Sequence, residues 1–132
     1  MQDPMDARIA AFLAGRTFAV VGASRDRGKF GNRVLRHYLA RGKRAIPVHP
    51  TEAEVEGLPC VRSLRDLPEP VDGASVIVPP PRTLRVLDDA VAAGVRRLWL
   101  QPGAEDDAVL ARAAELGLEL IAGGPCVLVA LR

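Results

Sequence analysis

The residues best suited to chemistry lie between Phe18 and Tyr38, in FAVVGASRDRGKFGNRVLRHY. Gly22, Gly28 and Gly31 are interleaved there with Ser24, Arg25, Arg27 and Lys29. Glycines let backbone N–H groups approach one point, the hydroxyl and basic side chains add donors, and a helix that follows contributes the positive end of its dipole. This combination suits a phosphate group and hence a nucleotide-like ligand. Gly22 is followed by Ala23 and Ser24, and the next glycine is Gly28, so the G-x-G-x-x-G dinucleotide fingerprint is missing. No Gly-Lys-Ser/Thr follows either, which removes the Walker loop.

Other reactive side chains are sparse. His49 stands at the end of a short apolar run, Ala45 to Val48, where a dinucleotide site would place an acid for the ribose hydroxyls. That substitution argues against an NAD(P)-dependent enzyme or redox sensor, the main alternative. His49 could touch a ribose or a phosphate. His37 falls inside the helix after the glycine loop and reads as a surface residue. Ser24 as a nucleophile would need a base, and only His49 is a candidate, so no catalytic residue is expected. Cys126 reads as a packed thiol, and Trp99 as core. The pairs Asp88-Asp89 and Asp106-Asp107 read as exposed helix positions, and no metal site is expected.

The elements that must position these residues follow from periodicity. An amphipathic helix is expected from Asp3-Pro4 to about Gly15, with Asp3-Pro4 as its start. Strands are predicted at Thr17–Val21, Ala45–Val48, Ala74–Val78, Arg97–Leu100 and Leu118–Ile121. Helices are predicted at Gly31–Ala40, at Arg82–Ala93 with Leu84, Leu87, Ala90 and Val91 on one face, and at Glu105–Leu116. Thr51 to Gly57 reads as a polar connection, and Ser63 as the cap of a single helical turn through Leu67. The strands are apolar without clear alternation, as in strands buried on both faces. Strand–helix alternation then predicts an α/β fold: a Rossmann-like, doubly wound parallel sheet of about five strands in three α/β/α layers. In such sheets ligands bind outside the carboxyl ends of the strands. Gly22-Ala23-Ser24, His49-Pro50, Pro79-Pro80 and Gln101-Pro102-Gly103 would all lie on that edge.

Composition narrows the class. The 132 residues make one domain, 1–132, with 48% hydrophobic and 26% charged residues and a formal net charge of +2. So small a charge, with 4% aromatics, argues against nucleic acid as a partner. No apolar run approaches the ~18 residues of a membrane span, and the N-terminus lacks a signal-peptide design, so a cytoplasmic location and no membrane partner are expected. Two cysteines, Cys60 and Cys126, make no disulfide framework.

Taken together, VVGASRDRGKFGNRVLRHYL, AIPVHP, GLPCVRSLRDLPEPVD, VIVPPP, LWLQPG and GGPC resemble the CoA-binding protein family. These are small stand-alone Rossmann-like domains of the YccU type, similar to the N-terminal domain of the succinyl-CoA synthetase α subunit. The resemblance covers about Ala7 to Cys126. It implies that coenzyme A or an acyl-CoA is the ligand. Ser24, Arg25, Asp26, Arg27, Gly28, Lys29 and Phe30 would then hold the diphosphate and nearby parts of CoA, with Gly22 and Ala23 also counted in the cofactor site. His49 and Pro50 would border the nucleotide. Val78, Pro79 and Pro80 would line the adenine or pantetheine side, and Leu100, Gln101 and Pro102 would close the crevice. Three departures stand out. Thr51-Glu52 replaces the lysine that follows the second strand's proline loop in the synthetase. Val78 replaces an arginine common before the prolines, and Gly124-Pro125-Cys126 lies closer to the synthetase than to the single-domain relatives. The synthetase's phosphohistidine belongs to a further domain, so ligase chemistry by this chain alone is not expected. A binding module is the first expectation, and an accessory or regulatory subunit of an acyl-CoA synthetase is another.

Overall fold

Short apolar runs separated by glycine- and proline-bearing loops form strands, and the amphipathic stretches between them form helices. A computed structural model describes residues 4–131. In chain order the elements are α1 (Pro4–Leu13), β1 (Thr17–Val21), α2 (Phe30–Ala40), β2 (Arg44–Val48), β3 (Glu54–Val55), β4 (Leu58–Pro59), β5 (Gly73–Val76), α3 (Pro80–Ala93), β6 (Arg97–Leu100), α4 (Asp107–Glu115), β7 (Glu119–Ile121) and α5 (Val127–Ala130). A 3-10 turn, Leu64–Asp66, precedes β5, with the Ser63 side chain accepting from Arg65 N–H as its cap.

Five strands form one parallel sheet in the order β2-β1-β5-β6-β7. Helices cover both faces, so the fold is the expected Rossmann-like α/β class. The chain adds strands outward from β1 to β2 on one side and from β5 to β7 on the other, which makes the carboxyl ends of β1 and β5 the switch point of strand order. Side chains alternate between two cores. Phe18, Val20, Trp99 and Ile121 pack with Phe12 of α1, Leu35 and Tyr38 of α2 and Val127 of α5. Ala19, Val21, Val76, Leu98 and Leu100 pack with Leu64, Leu87 of α3 and Val109 of α4. The Tyr38 hydroxyl meets Ser75 Oγ at 2.7 Å, joining α2 to the middle of the sheet. Burial pushes the Tyr38 pKa well above its ordinary value, against a smaller lowering from that hydrogen bond.

Several local expectations shift. Asp3 lies outside the described residues. The third strand of the main sheet ends at Val76 rather than Val78, and α3 begins at Pro80, because proline is pre-organised for the first helical position, where no N–H is needed. Its buried stripe is Thr83, Val86, Leu87 and Ala90, with Val91 exposed, so the helix is rotated from the expected face. Asp106 lies outside α4 and caps it, accepting Val109 N–H at 2.9 Å. Thr51 to Gly57 is not simply a connection. It contributes β3 to an antiparallel hairpin with β4, closed by Glu56 and Gly57 at φ 51° and 76°. His37 is half-buried and its Nε2 meets the Leu131 carbonyl, so it is not a free surface group. The short helix α5 has no counterpart among the elements expected from periodicity.

Candidate functional site

The glycine loop is shaped by close contact as well as by turning. Gly22 has φ 94°, and a Cβ there would lie 2.5 Å from the Ile77 carbonyl. A Cβ on Gly31 would lie 1.9 Å from the Gly22 carbonyl, so only glycine lets α2 start against the end of β1. Asp26 closes the loop by accepting Gly28 N–H at 2.9 Å, and Ser24 Oγ accepts Asp26 N–H at 3.0 Å. The fully buried Asn32 donates from Nδ2 to the Ser24 carbonyl at 2.8 Å and to Glu56 Oε2 at 3.2 Å, while its Oδ1 accepts Arg36 Nε–H at 2.7 Å. No side chain caps α2, so its first-turn N–H groups remain available to a ligand.

A cleft of about 530 Å³ opens at the switch point. Its apolar lining comes from Val21, Val48, Leu64, Ile77, Val78, Pro79 and Val86. Its polar lining comes from Ser24, Lys29, His49, Arg62, Ser63, Arg82, Arg85 and Asp89, with Gly22 and Pro50 completing the wall. Asp89 is held by Arg65, whose Nε donates to Oδ1 at 2.6 Å. Among the described residues, the side chains of Lys29, Arg62, Arg82 and Arg85 have no ion pair or hydrogen bond. The cleft is therefore electropositive over an apolar floor. His49 Nδ1 accepts the N–H groups of Thr51 and Glu52 at 3.1 and 3.0 Å, which fixes the orientation of the ring.

The cleft gathers Gly22, Ser24, Lys29, His49, Pro50, Val78 and Pro79 of the residues singled out from sequence. The others stand elsewhere. Ala23 is buried under the loop. Asp26 and Gly28 build the loop's own turn. Arg25 and Arg27 reach toward the β3–β4 side, meeting Glu52 at 3.8 Å and Glu56 at 3.5 Å. Phe30 is 48% exposed with the Arg33 guanidinium 5.1 Å from its ring centre. Pro80 is the first residue of α3 and lies outside the cleft lining. Leu100, Gln101 and Pro102 do not line the cleft, which lies on the β2 side of the switch point. Leu100 is core, and the buried Gln101 accepts Val127 N–H at 3.0 Å and donates to Cys126 Sγ at 3.3 Å, fastening α5 to the sheet.

Arg62, Ser63, Leu64, Arg82, Arg85 and Asp89 were missed. The segment after the hairpin returns beside β2 through Val61 N–H to the Pro47 carbonyl and His49 N–H to the Val61 carbonyl, at 3.1 and 2.9 Å. That pairing delivers Arg62 and Ser63, and no local pattern announces it. Arg82 and Arg85 did leave a signal: two arginines at i,i+3 directly after a proline triplet on the ligand edge. Near the hairpin, burial raises the Cys60 pKa, reinforced by Glu52 and Glu54, which favours the thiol over the thiolate. Among the described residues no cluster suited to a metal occurs, and no helix is long and apolar enough to cross a membrane.

A family model described as a CoA binding domain matches residues 16–132. A conserved hypothetical protein from Pyrococcus furiosus is 42% identical at a TM-score of 0.82, covering 86% of this chain and 97% of that one. The dinucleotide-forming acetyl-coenzyme A synthetase 1 of Ca. Korarchaeum cryptofilum, in complex with phosphate and ADP, is 34% identical at a TM-score of 0.72, over 82% of this chain and 25% of that one. Among curated proteins, the α subunit of ADP-forming acetate–CoA ligase II from Pyrococcus furiosus is 33% identical over 86 residues. That match takes in 64% of this chain and 19% of the relative's length.

Proposed function

The chain belongs to the CoA-binding domain family, and on that premise we propose that the switch-point cleft holds coenzyme A or an acyl-CoA and that the domain acts by recognition without making or breaking bonds. The observation that carries this reading is the set of four unpartnered cations around an apolar-floored cleft beside an uncapped helix. A CoA molecule offers matching parts. Its diphosphate suits the α2 N-terminus, Ser24 and Lys29. Its adenine and pantetheine suit the walls built by Val48, Val78 and Pro79. Arg25 and Arg27, turned toward glutamates, are assigned no direct contact.

Calorimetry tests the assignment. Lys29→Ala is expected to weaken CoA binding by about 1.5–3 kcal/mol, the range for a hydrogen bond to a charged group. Unchanged affinity would remove Lys29 from the site. Thermal shift with CoA, NAD and NADP side by side should stabilise with CoA alone, and stabilisation by NAD alone would overturn the reading. Incubation with acetyl-CoA, ADP and phosphate is expected to yield no ATP, and measurable ATP would refute recognition without chemistry. A second reading, in which this chain presents CoA to a catalytic partner, is favoured by the likeness to a ligase subunit.

A further inference from the structure

Among the described residues, the arginines of the α3 wall have no ion pair or side-chain hydrogen bond. Arg82 is the third residue of α3, at the positive end of the helix dipole, and no acid stands in that first turn. Arg85 follows one turn later, so two like charges share a helix face. Asp89 lies four residues beyond Arg85, at the spacing for an ion pair, but Arg65 takes its carboxylate at 2.6 Å. Arg62 faces the same cleft from a different segment and also lacks a partner. The start of α3 has no N–H groups to offer in their place, because its first two residues are Pro80 and Pro81. Anion recognition on this wall therefore falls to guanidinium groups, whose planar donors suit a phosphate bidentately.

The charge count separates two anions. A diphosphate diester carries about two negative charges, and a phosphomonoester about 1.5 to 2 more at pH 7. Lys29 and the α2 N-terminus suffice for the first. Three further arginines on two other segments exceed that need and match a second, separate phosphate.

We infer that Arg82, Arg85 and Arg62 form a phosphomonoester subsite on the α3 wall that selects nucleotides carrying a second phosphate apart from the diphosphate. The inference rests on the CoA reading and names the 3′-phosphate of the adenosine as the group recognised. The test compares CoA with dephospho-CoA, which lacks only that phosphate, by calorimetry on the wild type and on Arg82→Ala/Arg85→Ala, with circular dichroism confirming that the variant folds. The wild type should bind CoA at least about tenfold more tightly, as for one lost charge-assisted contact. The double variant should bring the two affinities to within about threefold by weakening CoA alone. Equal affinities in the wild type would overturn the subsite while leaving CoA binding intact. An equal loss for both ligands in the variant would also overturn it, assigning the arginines to the diphosphate. If neither ligand bound the wild type, the CoA reading itself would fall.

Discussion

Gly31 and Asn32 together decide the loop's shape, one by what it lacks and one by what it donates. Gly31→Ala drives a methyl group to 1.9 Å from the Gly22 carbonyl, a backbone atom that no side-chain rotation can clear. The expected cost is at or above the top of the roughly 1–3 kcal/mol range for overpacking, read as a lower denaturant midpoint with an unchanged slope. Asn32→Ala removes the donor to the Ser24 carbonyl and to Glu56, and leaves Arg36 Nε without its acceptor. A loss of about 1–3 kcal/mol is expected, as for buried polar groups left unmatched. Retained stability in the Asn32 variant would mean that the loop holds its form through the Asp26 turn alone.

Asp72 binds two elements at their starts. Its Oδ2 accepts Arg16 N–H at 2.7 Å and Thr17 N–H at 3.0 Å, tying the entry of β1 to the residue before β5. Those bonds, Thr17's first and then Arg16's, hold its pKa below the ordinary carboxylate value near 3.9. The folded protein therefore releases this proton more readily than the unfolded chain. The stabilisation is complete above the ordinary value and is lost as pH falls through the lowered one. Asp72→Ala should lower Tm at pH 7, and the gap from wild type should close below about pH 4. A gap independent of pH would show that packing against Gly15, rather than the carboxylate, supplies the effect. The β3–β4 hairpin is also an element with one consequential residue. Glu56 adopts positive φ, rare outside glycine, while its carboxylate reaches Asn32 and Arg27.

At the scale of the molecule, a cleft carrying four unpartnered cations makes binding sensitive to ionic strength. CoA affinity should fall as salt rises, and the Lys29→Ala variant should show a shallower dependence, measurable by titrations from low to high NaCl. The single tryptophan reports the whole fold: Trp99 is buried, donates to the Pro125 carbonyl at 3.0 Å and packs against Phe12. Its emission should shift red on unfolding at the midpoint seen by far-ultraviolet circular dichroism, as for a two-state domain.

The sequence by itself determined the class of fold, the boundaries of most strands and the run of glycines and donors in the Gly22–Lys29 loop. Each of these follows from periodicity or from residue types within a few positions of one another. Tertiary structure alone decided which loops share a wall. Gln101 and His49 both end predicted strands, and those strands flank the switch-point pair symmetrically, yet His49 lines the cleft while the buried Gln101 fastens α5. Arg62 enters the cleft through a pairing with β2 that no local pattern encodes. Arg25 and Arg27, next to Lys29 in sequence, turn away toward hairpin glutamates. Proximity in the chain sets what a residue can do, whereas the paths of the connecting segments and the packing of each side chain set what it can reach.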